Sequence, residues 1–328
     1  MLWVRAIAGV TGDRATQLEQ EVQQLIQAAV RLGLKEAEGI GLETLMMMNV
    51  NRSNFTELHE HSLRAAEISR VSSPVTAARL LAYSGSCLAE IRQDMNRAEA
   101  LLLEAESLAD RVGAEPIDLV CGLGCVYAYQ ANYAEAQPRL QRALQMAQAE
   151  QDHWRECNVL SYLAMLELEV GNPAAALPYC HEMAIVAAKT PEEGSEGAIA
   201  TALTALANYQ LQQSAAAVDL EQAINLLYQV DAKRMLAYVL VGAAEVDLNH
   251  QQLERAMTHA EAALQTAQSI NQPCEITLAG TLLVQTALAL GETDRAATQF
   301  KFLQTQVDRR SLSVRAQRAI DRLVEQFK

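Results

Sequence analysis

The chain has 328 residues and a formal charge of −14 at pH 7; 50% of it is hydrophobic, yet only 5% is aromatic. So acidic a balance excludes a phosphate-binding or anionic-lipid-binding surface over most of the molecule, because such surfaces need clustered Lys and Arg. The length admits two globular domains or one continuous repeat array whose core is shared between neighbours.

Ala, Leu, Gln and Glu dominate, and no run alternates Val, Ile, Thr and aromatics between turn residues. Apolar residues recur instead at helical spacing, which predicts an all-α chain. Six cysteines, at 87, 121, 125, 157, 180 and 274, form no CxxC pair and follow no signal peptide. That usage points to a reduced, cytoplasmic protein. The opening "MLWVRAIAGV" is apolar over about ten residues, too short to cross a bilayer, and reads as the remains of a helix. It leaves two origins open: a fragment of a longer chain, or a short protein with a frayed N-terminal cap.

A repeat then runs down the chain. Its marker is a position early in every second helix: Leu18, Leu58, Ala98, Ala136, Ala176, Ala216, Ala256 and Ala296, in steps of 40, 40, 38, 40, 40, 40 and 40 residues. Seven residues later stand Leu25, Ala65, Ala105, Ala143, Met183, Ala223, Ala263 and Leu303, two turns along the same face. Small side chains dominate both positions because helix axes approach most closely there. Four residues before the marker, Asn54, Asp94, Asn132, Asn172, Gln212, Gln252 and Glu292 occupy the turn, where Asn and Asp can accept from the free N–H groups of the next helix. Twelve before it, Met46, Ser86, Gly124, Ala164, Thr204, Ala244 and Val284 mark the matching contact of the first helix.

Pro74, Pro116, Pro173 and Pro273 fall at predicted helix starts, and Pro191 opens the "TPEEGSEG" loop, positions where a missing N–H is harmless. Pro138 and Pro178 lie inside their helices and predict a bend or an irregular start. At the end, residues 309–328 carry Arg309, Arg310, Arg315, Arg318, Arg322 and Lys328 against Asp321 and Glu325, leaving −18 for the remainder. This basic terminal helix is either the solvated face of a cap or a docking point.

The stretch "LGCVYAYQANYAEAQPRLQRAL", residues 123–144, resembles the tetratricopeptide repeat (TPR), with Leu123, Gly124, Tyr127, Tyr133, Ala136, Leu140 and Ala143 on its consensus positions. Residues 163–184, 243–264 and 283–304 fit less fully. The period of 40 exceeds the family's usual 34 and is similar to the longer-helix variety in the TPR arms of maltose-activator-type bacterial signal-transduction ATPases, in quorum-sensing peptide receptors and in kinesin light chains. The resemblance implies a right-handed TPR-like α-solenoid, a single array over 1–328: an incomplete first repeat (1–33), seven helix pairs (34–308) and a basic capping helix (309–328).

No chemistry-bearing motif completes itself. "CHEMAI", residues 180–185, starts like HExxH but has Ile185 where the second His must stand. "GLGCVY" (122–127) and "GIGLET" (39–44) lack a third glycine and a preceding strand, so close helix packing explains them better. His59 and His61 point about 200° apart around a helix and cannot share an ion. Cys121 and Cys125 share a face and read as small apolar lining. Neither a P-loop nor a GxSxG elbow is present, so no catalysis, cofactor or metal is expected.

In TPR arrays the first helices line a groove, and the family's ligand-facing positions carry over to Leu80, Tyr83, Cys87, Glu90, Asp118, Cys121, Cys125, Asn158, Ser161, Met165, Thr201, Asn208, Tyr238, Glu245 and Asn249. This stripe lacks the Lys and Arg clamp that would hold a C-terminal carboxylate. The resemblance implies a non-enzymatic interaction or sensor module, the regulatory arm of a bacterial signalling or transcription-regulating protein, or else a stand-alone receptor for a signal peptide or small ligand. Its expected partner is a protein or peptide in the groove, or other domains of a larger parent chain, without direct contact to nucleic acid or membrane.

Overall fold

The computed structural model describes residues 12–50, 55–92, 94–190 and 194–327; the apolar opening stretch, Asn54, Pro191 and Lys328 lie outside them. The chain forms two compact units, one ending at Val126 and one beginning at Tyr127. No strand occurs among the described residues.

In the first unit α1 (Gly12–Leu32), α2 (Lys35–Val50), α3 (Phe55–Ser72), α4 (Pro74–Ile91) and α5 (Met95–Val112) pack in succession, followed by α6 (Ile117–Tyr129), which runs past the boundary. The second unit holds α7 (Tyr133–Glu150), α8 (His153–Val170), α9 (Pro173–Ala187), α10 (Glu196–Gln210), α11 (Ala216–Gln229), α12 (Lys233–Asn249), α13 (Leu253–Ser269), α14 (Pro273–Ala289), α15 (Thr293–Gln306) and α16 (Val314–Gln326). From α7 to α15 each helix packs on the next, α16 packs on α14, and α8, α10, α12 and α14 also touch in series, forming a row of first helices.

The repeat grid is the core. Leu58, Ala98, Ala136, Ala176, Ala216, Ala256 and Ala296 are buried, and so are their partners seven residues on, from Ala65 to Leu303. Neighbouring second helices keep the same spacing at the surface: Arg255 meets Glu221 at 3.4 Å and Arg295 meets Glu261 at 2.9 Å, each pair 34 residues apart. The first repeat breaks the expected register. Leu25 is 68% exposed and Leu18 only half-buried, while Val22, Ile26 and Ala29 are buried. Val22 and Ala29 are again seven apart, so the step to Leu58 is 36 residues rather than 40. The cause is a close approach: a Cβ on Gly41 of α2 would lie 2.5 Å from Ile26 Cγ1, so the backbone of α2 has come down onto the Ile26 face. The glycine of "GLGCVY" acts likewise, since a Cβ on Gly122 would fall 2.8 Å from Leu102 Cδ2.

The turns between paired helices are closed by backbone rather than by side chains. Ala131, Gly171, Gln251 and Gly291 take left-handed φ values of 56°, 83°, 59° and 78°. Immediately after them, the N–H groups of Asn132, Asn172, Gln252 and Glu292 reach back to the carbonyls of Tyr127, Glu167, Asp247 and Ala287 at 2.8–2.9 Å. This arrangement satisfies the last carbonyls of the preceding helix. Asn132 and Asn172, expected to cap, make no side-chain capping bond; Asp94 does, accepting from Arg97 N at 3.2 Å. Pro74, Pro173 and Pro273 open α4, α9 and α14. Pro138 and Pro178 sit inside α7 and α9, which start on tight bonds spanning three residues, Glu135 N to Asn132 O and Ala175 N to Asn172 O.

The C-terminal stretch is a short 3₁₀ turn, Arg309–Ser311, followed by α16. Asp308 accepts from Arg310 N at 3.1 Å and Ser313 Oγ from Ala316 N at 3.2 Å, capping the two elements. Helix α16 buries Ala316, Ile320 and Leu323, one face at helical spacing, while Phe327 stacks on Phe300 with centroids 4.4 Å apart.

Candidate functional site

The structure distributes the expected ligand-facing stripe over several environments. In the first unit Tyr83 and Glu90 on α4 and Asp118 on α6 are half-buried, Leu80, Cys87 and Cys121 are buried, and Cys125 lies between. A hydrogen bond with Cys125, then burial, pushes the Cys121 thiol well above its usual range. Among the described residues no group of three His, Cys, Asp or Glu stands close enough to hold a metal ion.

In the second unit two of the three α8 residues turn inward, while Asn158 is half-buried. Ser161 and Met165 are buried, and Ser161 Oγ donates to the Asn158 carbonyl of its own helix at 2.7 Å. Tyr238 on α12 is buried as well and donates to the Met165 carbonyl at 3.3 Å. Asn249, at the end of α12, is exposed.

Thr201 and Asn208 come together. One helical face of α10 presents them, with Thr204, to a pocket of about 820 Å³ whose walls are α9 and α11, a volume within the range of ligand sites. Ala200, Ala205, Leu177, Ala223 and Leu226 give it an apolar floor, and Gln222, Gln229, His181 and Asp219 supply further polar groups. Asparagine and glutamine amides both donate and accept, so the pocket can satisfy an extended backbone while its floor takes an apolar side chain. Cys180, at the base, is chemically quiet: burial pushes its thiol up to about 11, although Thr204 pulls the other way.

Tyr238 and Glu245 face a different space, a small polar cavity of about 120 Å³ shared with Glu169 of α8, Gln210 of α10 and Arg315 of α16. Arg315 Nη2 meets Glu245 Oε2 at 2.6 Å, and its Nη1 lies 4.0 Å from Glu169 Oε1. Burial works against the guanidinium charge, but Glu245 and Glu169 outweigh it and hold Arg315 more firmly protonated than an ordinary arginine. The terminal arginines are therefore not uniformly a solvated face, since Arg315 is turned into the row of first helices.

No protein-family model matches the chain, and no curated protein matches it by sequence. Solved structures do match. NprR in complex with its cognate peptide NprX aligns with a TM-score of 0.67 at 15% identity, over 99% of this chain and 91% of that one. A Rap protein complexed with Competence and Sporulation Factor aligns at 0.60 and 12% identity, over 82% and 75%. A tetratricopeptide repeat protein from Parabacteroides merdae aligns at 0.50 and 15% identity, over 86% and 97%. This chain has a TPR-like fold.

Within the TPR-like grid of the second unit lies a buried network that helical periodicity did not reveal. Asp247 of α12, fully buried, accepts from the Tyr209 hydroxyl of α10 and pairs with His259 Nδ1 of α13 at 2.6 Å. The other ring nitrogen of His259 faces Glu221 of α11 at 3.1 Å, and Arg255 lies over the Tyr209 ring at 5.5 Å. Burial first, then the bond to Asp247, raises the Tyr209 hydroxyl well above its usual range. The network ties α11, one wall of the 820 Å³ pocket, to α12 and α13. Its one sequence signal is spacing: Tyr209 to Asp247 and Glu221 to His259 are each 38 residues, close to one repeat.

Proposed function

We propose that this chain is a non-enzymatic module that binds a peptide or protein segment, acting as the sensing part of a signalling protein in the cytoplasm. The observation that carries this reading is the pocket between α9 and α11, where Thr201, Asn208, Gln222 and Gln229 stand around an apolar floor. Such a surface suits an extended chain bound through backbone hydrogen bonds and a buried side chain. NprR and the Rap protein, complexed with NprX and with Competence and Sporulation Factor, support the receptor form of the reading over an arm that only packs against its parent. An acidic chain favours a protein partner over nucleic acid, and no helix among the described residues is long and apolar enough to cross a membrane.

The test is a fluorescence-polarisation screen of labelled synthetic pentapeptides, followed by the Thr201→Ala/Asn208→Ala double variant. Its affinity for the selected peptide should fall by about 1–2 kcal/mol per lost hydrogen bond while its melting temperature stays put. Undiminished binding in the double variant would move the site elsewhere.

A further inference from the structure

The segment that follows α15 holds its own shape. Arg309 pairs with Asp321 at 2.8 Å, and Gln317 Nε2 donates to the carbonyls of Arg309 and Leu312 at 3.3 and 2.9 Å. Its attachment is of two kinds. The far end is anchored by apolar packing through Ile320, Leu323 and the stack of Phe327 on Phe300. The near end buries Leu312 and Ala316 in the same apolar core as Ile320 and Leu323, and its remaining contacts are polar. The Tyr129 hydroxyl donates to the Ser311 carbonyl at 2.6 Å, Ser313 N donates to Cys274 Sγ at 3.2 Å, and Arg315 reaches Glu245 and Glu169. These partners come from α6, α14, α12 and α8, so the near end lies along the row of first helices.

Polar contacts of this kind can be taken over by a competitor carrying the same groups, whereas interdigitated apolar packing cannot. Glu169 and Glu245 flank one guanidinium at 4.0 and 2.6 Å, and the Arg315 side chain, 26% exposed, also lines the small cavity.

We propose that residues 308–318 are a built-in occupant of the row of first helices: Glu169 and Glu245 form a guanidinium-binding site that Arg315 fills in cis, and that accepts an arginine-bearing peptide in trans when the segment swings away. The segment pivots on its apolar end, around Ile320, Leu323 and Phe327. This site is separate from the pocket between α9 and α11, so either can fail without the other.

A native thiol reports the motion. Cys274 is 1% exposed and lies directly beneath Ser311 and Ser313, so alkylation should require the segment to lift, and its rate should follow the open population. In the full chain, Arg315→Ala should raise iodoacetamide labelling of Cys274 about tenfold, as expected for loss of a half-buried charge pair. Labelling of Cys157, buried in α8 in a cluster with Leu160, Met183, Val186 and Ala200 that includes no residue of the segment, should not change. The double variant Glu169→Gln/Glu245→Gln should behave as Arg315→Ala does. A fluorescein-labelled octapeptide copying residues 311–318 should bind Arg315→Ala at least about tenfold more tightly than it binds the unaltered chain. The same peptide with citrulline in place of the residue copying Arg315 should not bind. Four results would overturn the proposal: Cys274 protected in both variants, which means a permanent cap; Cys274 and Cys157 rising together, which means general loosening; equal binding of the two peptides; or no binding of either.

Discussion

In the first unit Arg79 meets Glu43 at 2.6 Å and Arg70 pairs with Glu104, all four side chains at least a third exposed. In the second unit Asp247, fully buried, takes a hydrogen bond from Tyr209 and pairs with the buried His259. Both arrangements join successive helix pairs of one repeat plan, yet their energetics differ in kind. An exposed pair gains little over two hydrated ions. A buried charge is costly to strand once its partners are removed. The first unit should therefore tolerate loss of these exposed charges, and the second should not tolerate loss of Asp247.

The largest effect that tests this contrast is expected from Asp247→Asn. The amide keeps the shape but turns an N–H donor toward Tyr209 or His259, and about 3 kcal/mol of local stability should go, read as faster hydrogen exchange across α12 and α13. Exchange at the wild-type rate would mean that the two units are tied together alike.

Ala256→Phe should follow, at about 1–3 kcal/mol, because the site is fully buried against the neighbouring helices and overpacking forces them apart. Leu25→Phe, conversely, should change the free energy of urea unfolding by less than about 0.5 kcal/mol, since Leu25 is largely in water. If Leu25→Phe proved the more harmful, the register drawn for α1 would be wrong.

Acid should weaken the first unit through His59 and His61. Burial lowers the pKa of each ring below its free value, so the unfolded chain binds protons that the folded unit refuses. Their contribution is intact above the unfolded histidine value of about 6.5 and is lost as pH falls from there through the lowered folded value. Glu38 adds to this at more acid pH: burial raises its pKa, but the hydrogen bonds from Lys35 and Arg64 outweigh that and lower it, so its contribution disappears as pH falls through the carboxylate range. Thermal melts from about pH 7 to 5 should show the decline, and His59→Gln/His61→Gln should flatten it. The smallest effect is assigned to Arg79→Ala, about 0.5 kcal/mol or less; a loss as large as that of Asp247→Asn would erase the contrast between the units.

The helices and the contact grid were legible because both are local. Ala136, Ala143, Ala176 and Ala256 recur at helical spacing, and the small side chain that allows close approach is visible in the letters themselves. The turns were legible in place but not in mechanism. Asn132 and Asn172 stand where a cap was expected, yet the closing bonds belong to backbone groups arranged by a left-handed residue just before them. Of the groove stripe, Thr201 and Asn208 share a pocket, while Met165, Tyr238 and Glu245 are engaged by other parts of the chain. A stripe drawn along one helix face cannot foresee which neighbour will cover it.

The sequence by itself determined the helical class, the forty-residue period and the small-residue contacts, since helix periodicity and side-chain volume act within a few turns of chain. Only the tertiary structure decided which face of α1 is buried, because α1 carries apolar residues on both sides and the missing side chain of Gly41 favours Ile26. It alone joined Tyr129 to Ser311 across 182 residues and Arg315 to Glu245 across 70. Such pairings arise when stacked repeats bring distant helices side by side, and that accumulates from small rotations at every repeat interface rather than from any local run of residues.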